Sequence, residues 1–343
     1  MLLLTDRAVL NSPLPLITRD EARMLGRPIT RATHLRLRRG VHVLRADYAR
    51  LKLWEKYAVR VHAFIRRHPD AVLCLESAAV LHGLPLFRHP RDIHVFDPAA
   101  EKSQRFGDVL VHSSANERDI VEIGGVMVTS LLDTAVDLAR VTSPARALAV
   151  VDSVISTAQG GDVRLDDVRA RYQSQQNRRG RAQLRWVCER ADGNAESVAE
   201  SISRAVIEWS GFEQPELQRE FRYEGFRDCV DFLFPSSRTI GEADGWGKYE
   251  LDDPQRAAER LRDEKRREDR LRRHGHAFAR WDLADAWKVA PLVNALRGAG
   301  LSPQHPVQSA MLATLTHSPR DLPLPAPVPR PRETSLPARN RHA

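Results

Sequence analysis

The order of apolar and polar residues predicts an alternation of helices and strands over most of the chain. Thr18 followed by Arg19–Leu25, with Glu21 at the third position after the cap, has the pattern of a capped helix. Gly26 and Pro28 force a turn, and Thr30–Arg39 offers a second helix with four arginines that Gly40 can end. Val41–Arg45 alternates as a strand. Leu53, Tyr57, Val61, Phe64 and Ile65 recur at helical spacing within a helix predicted over 51–68. Apolar runs at 71–74, 93–96, 109–112 and 124–129 read as strands. A helix from Ser77 is stopped by Gly83 and Pro85, and another is entered at Ser130. Helices are predicted over 144–158, 163–191 and 196–209, and a strand over Leu217–Tyr223. Cys229–Gly245 reads as two strands joined by Pro235-Ser-Ser237. A charged helix over 255–274, a strand at 277–281 and a helix at 283–298 complete the pattern. From about Pro303 proline becomes frequent, and no packed element is expected there.

This order predicts an α/β (α+β) protein in five parts. A winged helix-turn-helix-like unit occupies 1–50, a mixed α/β domain 51–158 and a helical connector 159–192. An α/β core with a mixed sheet occupies 193–300, and 301–343 is a disordered tail. Helix, turn, basic helix and strand outline a winged helix, although the same pattern also describes a small helical cap with solvated arginines.

Charge changes the picture more than composition does. A net charge of +8 with a pI near 9.8 favours a polyanionic partner, nucleic acid above all. Cys74, Cys188 and Cys229 lie far apart, so neither a zinc knuckle nor a disulfide framework is expected. Asp6 interrupts the opening apolar residues and no run of about 18 apolar residues exists, so a cytoplasmic protein without a membrane span is expected.

The hairpin at 229–245 holds the strongest chemical signal. Period-two alternation puts Glu242 and Asp244 on one face, and strand pairing lets Asp231 join them. Acids crowded on a sheet face repel each other, and a divalent cation, Mg²⁺ or Mn²⁺, is the usual reason to tolerate them. Such a metal activates water for phosphodiester hydrolysis, with Lys248 in reach of the same pocket. The plain alternative is that these acids face solvent on ordinary strands. Glu196 and Glu200 share one face of their helix, where solvation is the simpler reading. The segment 256–280 carries ten Arg/Lys against five Asp/Glu, suiting both an ion-paired helix and a phosphate track. His82, His94 and His112 show no metal-ligand spacing.

The block 193–288 resembles a domain family related to very-short-patch repair endonucleases, within the PD-(D/E)xK nuclease fold. Ala195–Ser201, Pro215–Gln218, Val230–Phe232, Gly241–Gly245, Lys248-Tyr249, Glu264–Leu271, Gly275 and Ala279–Trp281 carry the likeness. It implies a restriction-endonuclease-like core with Asp231 and Glu242 as metal ligands and Glu200 donated from the first helix. Asp244 stands where many relatives outside this branch carry lysine, leaving Lys248 as the nearby substitute. Residues 18–158 resemble the antitoxin and regulator of AbiE-type toxin–antitoxin systems, through Ser77–Leu84, Asp92–Val95 and Val128–Arg140. That likeness implies DNA binding by a helix at Thr33–Arg39 with Arg36, Arg38 and Arg39, and a protein toxin as partner.

Together these readings predict a duplex-DNA-binding protein with a metal-dependent endonuclease domain, acting in defence or repair. Lys265, Arg266 and Arg267 would add phosphate contacts. The competing reading is a non-catalytic regulator or antitoxin that keeps a retired nuclease fold.

Overall fold

Among the described residues, three β-sheets follow one another along the chain, with helices filling the space between them. The computed structural model describes residues 2–244, 254–316 and 320–322, and within these the side chains of 254–258, 260 and 261 fall outside the description. The first unit contains α1 (Leu4–Arg7), β1 (Ile17–Thr18), α2 (Arg19–Met24), β2 (His34–Arg38), β3 (Val41–Leu44) and α3 (Arg45–Arg50). Its sheet is antiparallel in the order β1-β3-β2. Thr18 caps α2 as expected: the Glu21 N–H donates to Thr18 Oγ1 at 3.2 Å, and Glu21 Oε2 accepts the Thr18 N–H at 2.8 Å.

The second basic helix does not form. Residues 34–38 are the strand β2, joined to β3 by the two-residue turn Arg39-Gly40 with Gly40 at φ +81°. The reason lies in Leu35-Arg-Leu-Arg38, whose period of two suits a pleated strand better than a helix.

The middle region runs α4 (Leu53–Ile65), β4 (Val72–Leu73), α5 (Leu75–His82), β5 (Ile93–Phe96), β6 (Gln104–Phe106), β7 (Val109–His112), β8 (Ile120–Ile123) and β9 (Val126–Thr129). The sheet order is β6-β7-β5-β4-β9-β8, with β5/β7 and β4/β9 parallel and the other pairs antiparallel. Four helices follow: α6 (Leu131–Val141), α7 (Pro144–Ile155), α8 (Leu165–Ser174) and α9 (Arg181–Arg190). The single helix predicted over 163–191 is thus two, separated by a turn in which Gly180 takes φ +73°. These helices bury Val151, Val168, Leu184 and Val187 in one apolar core with the next helix, α10 (Val198–Trp209). Inside that core Arg204 reaches Asp152 at 3.0 Å, joining α10 to α7.

After α10 come β10 (Glu216–Tyr223), β11 (Phe226–Phe234), β12 (Thr239–Asp244), α11 (Pro254–Arg273), β13 (Ala277–Asp282), α12 (Leu283–Lys288), α13 (Ala290–Gly298) and α14 (Ser309–Ala313). The sheet order is β10-β11-β12-β13, antiparallel except for the parallel pair β12/β13. Gly241 is required where it stands, because a Cβ would lie 2.6 Å from Trp281 Cη2. The helix predicted over 283–298 breaks at Val289, which adopts φ +66° ahead of Pro291 in α13.

The stretch after Pro303 is more ordered than its prolines suggest. α14 is helical, Leu315 is buried, and Arg320 and Asp321 dock onto the middle region. Residues 323–343 lie outside the described residues. The fold is α+β, and no described helix is long and apolar enough to cross a membrane.

Candidate functional site

The acidic hairpin forms as predicted, and its register explains how the acids meet. Phe232 pairs with Gly241 and Leu233 with Ile240, so one step further sets Asp231 opposite Glu242. The pairing opens at that step, where Asp231 Oδ2 accepts the Ala243 N–H at 2.9 Å. Glu200 arrives from the first turn of α10 and is buried, not solvated. Its carboxylate accepts the Glu196 N–H at 2.9 Å, the Ser197 hydroxyl at 2.7 Å and the Gln218 amide at 3.2 Å.

Gln218 is a residue to which the sequence reading gave no role. It sits on β10 between the pairs Leu217–Phe232 and Arg219–Val230, and its φ of +49° breaks the ladder beside Asp231. Non-glycine residues held in this region are strained, and such strain gathers at functional sites. Its side chain joins Glu200 to Cys229, whose thiol donates to Gln218 Oε1 at 3.2 Å.

Burial and the Asp231 charge raise the Glu200 carboxyl to about 7. The same two causes raise Glu242 to about 7 despite an opposing arginine. That arginine is Arg267 of α11, 2.7 Å from Glu242 Oε1. Arg280 of β13 meets Asp244 at 3.3 Å, Glu264 at 2.7 Å and Glu268 at 3.1 Å. Acids and guanidinium groups therefore neutralise one another across the sheet.

This arrangement decides whether the acids fit Mg²⁺ or Mn²⁺. Glu242 and Asp244 are each ion-paired to arginine, and a cation at Glu242 competes with Arg267. Among the described residues no three His, Cys, Asp or Glu side chains form a group able to hold a metal ion. In this conformation the donor set does not fit the ion. Lys248 lies outside the described residues.

The predicted DNA contacts divide in the same way. Arg36 and Arg39 are exposed, but on β2 and its turn instead of a recognition helix. Arg38 is committed elsewhere: both Asp108 oxygens accept from its Nη1, at 2.7 and 2.8 Å. Lys265 and Arg266 are exposed on α11, whereas Arg267 turns inward to Glu242. A second basic surface, not singled out by the sequence reading, is a groove at α2 and the turn after it, lined by Arg19, Arg23 and Arg27.

A buried polar chain in the middle sheet was also missed. His94 Nδ1 lies 2.9 Å from His112 Nε2, and His94 Nε2 lies 3.3 Å from Glu76 Oε2. These residues are far apart in sequence, and only the parallel pairing of β5 with β7 brings the two rings together. No spacing rule signals such a contact.

Residues 71–189 match the AbiEi antitoxin C-terminal domain family. Two uncharacterized proteins of Mycobacterium tuberculosis, MT2308 (strain CDC 1551 / Oshkosh) and Rv2248 (strain ATCC 25618 / H37Rv), are each 32% identical over 173 residues. That alignment takes in 50% of this chain and spans 62% of the length of each curated relative.

Proposed function

We propose that this chain is a DNA-binding regulator of the antitoxin type, with a protein toxin as its second partner. The observation that carries this reading is the antitoxin-domain match over 71–189. The basic groove of Arg19, Arg23 and Arg27, with Arg36 and Arg39 on the β2–β3 hairpin, supplies phosphate contacts beside it. The pairing of Glu242 with Arg267 fits a nuclease-like sheet used for structure and contact.

A second reading rests on a different observation. Asp231 of β11 acts on both Glu200 of α10 and Glu242 of β12, whose carboxyls are raised to about 7, the electrostatics of a metal-dependent phosphodiesterase pocket. It requires Arg267 to leave Glu242 so that Asp231, Glu242 and Asp244 face Mg²⁺ or Mn²⁺.

One experiment separates the two. Supercoiled plasmid and a labelled duplex are incubated with the full chain in Mg²⁺, Mn²⁺ or EDTA, beside an Asp231→Ala/Glu242→Ala double variant. The regulator reading expects equal binding by both proteins and no cutting. Metal-dependent nicking that the double variant loses replaces it with the nuclease reading.

A further inference from the structure

Three consecutive residues of the C-terminal segment, Arg320, Asp321 and Leu322, are paired with the backbone of residues 89–91 in the middle region. The Arg91 N–H donates to the Arg320 carbonyl at 2.7 Å, and the Leu322 N–H donates to the His89 carbonyl at 2.8 Å. Both hydrogen bonds flank the antiparallel pair Pro90–Asp321, so Pro90 needs no N–H of its own there. Arg60 of α4 donates to the Pro90 carbonyl at 3.0 Å and holds that backbone in place. Pro323 follows in the sequence and restricts Leu322 to extended backbone.

The side chains add selectivity by charge. Arg320 Nε donates to Glu76 Oε1 at 2.6 Å, and its Nη2 lies 3.3 Å from His94 Nε2. Asp321 Oδ2 accepts from Arg146 Nη1 at 2.9 Å. Glu76 of α5 and Arg146 of α7 are both buried. The Arg146 guanidinium is itself placed by aromatic rings, 5.5 Å from the centre of Phe87 and 5.7 Å from that of Trp287. The cleft therefore offers one buried acid and one buried base to an arginine followed by an aspartate. Replacing buried ion pairs by apolar packing is often neutral or stabilising, and their best attested use is to fix register.

The seat and its occupant belong to different parts of the chain. Glu76, residues 89–91, His94 and Arg146 all lie within the antitoxin-family match at 71–189. Their ligand lies outside it, 244 positions after Glu76 and 175 after Arg146. Backbone hydrogen bonds for affinity, with side-chain contacts for specificity, are the layout of sites that take up an extended peptide.

We infer that this cleft is a peptide-recognition site for an extended segment carrying arginine followed by aspartate, and that residues 320–322 fill it in cis. A protein partner's segment of the same chemistry then competes with the chain's own tail for Glu76, Arg146 and the backbone of residues 89–91. Tethering raises the effective concentration of the tail, so the tail sets the threshold for entry. The inference rests on the antitoxin reading only in assigning the incoming segment to a protein partner.

The test uses the full chain, as wild type and as an Arg320→Ala/Asp321→Ala double variant that empties the cleft. The probe is a fluorescein-labelled synthetic peptide with the sequence of residues 316–326, read by anisotropy. A control peptide exchanges the arginine and the aspartate, keeping composition and net charge. The expected result is saturable one-to-one binding to the double variant, at least tenfold weaker for the wild type and for the exchanged peptide. A folded double variant that binds neither peptide, or both alike, overturns the proposal. A double variant that does not fold passes the decision to the wild type: excess peptide must accelerate amide hydrogen exchange at Leu322, and unchanged exchange overturns the proposal. None of these readouts involves DNA, so their failure leaves duplex binding by the regulator standing.

Discussion

Arg320 Nε donates to Glu76 Oε1 at 2.6 Å, so a residue of the C-terminal segment is held by a buried carboxylate 244 positions earlier. Asp321 reinforces the docking through Arg146 at 2.9 Å. Burial alone would raise the Glu76 carboxyl, but Arg320 and His94 outweigh it and hold it at about 2.

Removing the arginine leaves Glu76 as an uncompensated buried charge. Arg320→Ala should destabilise the protein by about 3 kcal/mol in urea unfolding. Adding Glu76→Gln should recover part of that loss, because the two residues act as one pair. The folded carboxyl lies below its ordinary value of 4.5, so the stability it contributes is present above that pH and is lost as pH falls toward 2.

Glu200 has the opposite sign. Its folded value of about 7 exceeds the ordinary 4.5, so the native state binds the extra proton between those limits. The stability it contributes is complete below pH 4.5 and is lost as pH rises through 7. Glu200→Gln should therefore flatten the decline of stability between pH 5 and 8, by about 2 kcal/mol at the upper end. Chemical denaturation at closely spaced pH values reads this directly. An identical slope in the variant would show that Glu200 ionises at its ordinary value.

Arg38 and Arg36 should part company although they stand two positions apart. Arg38 is paired with Asp108, which also receives Arg60 at 3.0 Å. Arg38→Ala should cost about 1 kcal/mol of stability and leave the salt dependence of duplex binding unchanged. Arg36→Ala should do the reverse, leaving the melting temperature within error while weakening duplex binding.

Much of this architecture was legible in the sequence where local rules govern it. The Thr18 cap, the Ser130 cap and the hairpin carrying Asp231 and Glu242 each rest on residues close in sequence. The strand at 34–38 was misread because four arginines suggested a DNA-facing helix, while the period of Leu35 and Leu37 already favoured a strand. The docking of Arg320 was hidden by the prolines around it, since its stabilisation comes from Glu76 and not from local conformation. In the candidate site the acids were legible and their arginine partners were not. Arg267 reads in the sequence as a phosphate contact on a charged helix, and only the packing of α11 over β12 turns it toward Glu242. Gln218 gave no signal of a role, because its significance lies in a backbone φ of +49°.

Duplex binding by the basic N-terminal surface is read by fluorescence anisotropy of a labelled duplex across a salt series. The wild type is compared with an Arg36→Ala/Arg39→Ala variant in EDTA. For the wild type log K should fall linearly with log salt, and the slope should drop by about one unit for each arginine removed. Affinity insensitive to salt, or the same slope in the variant, would contradict it.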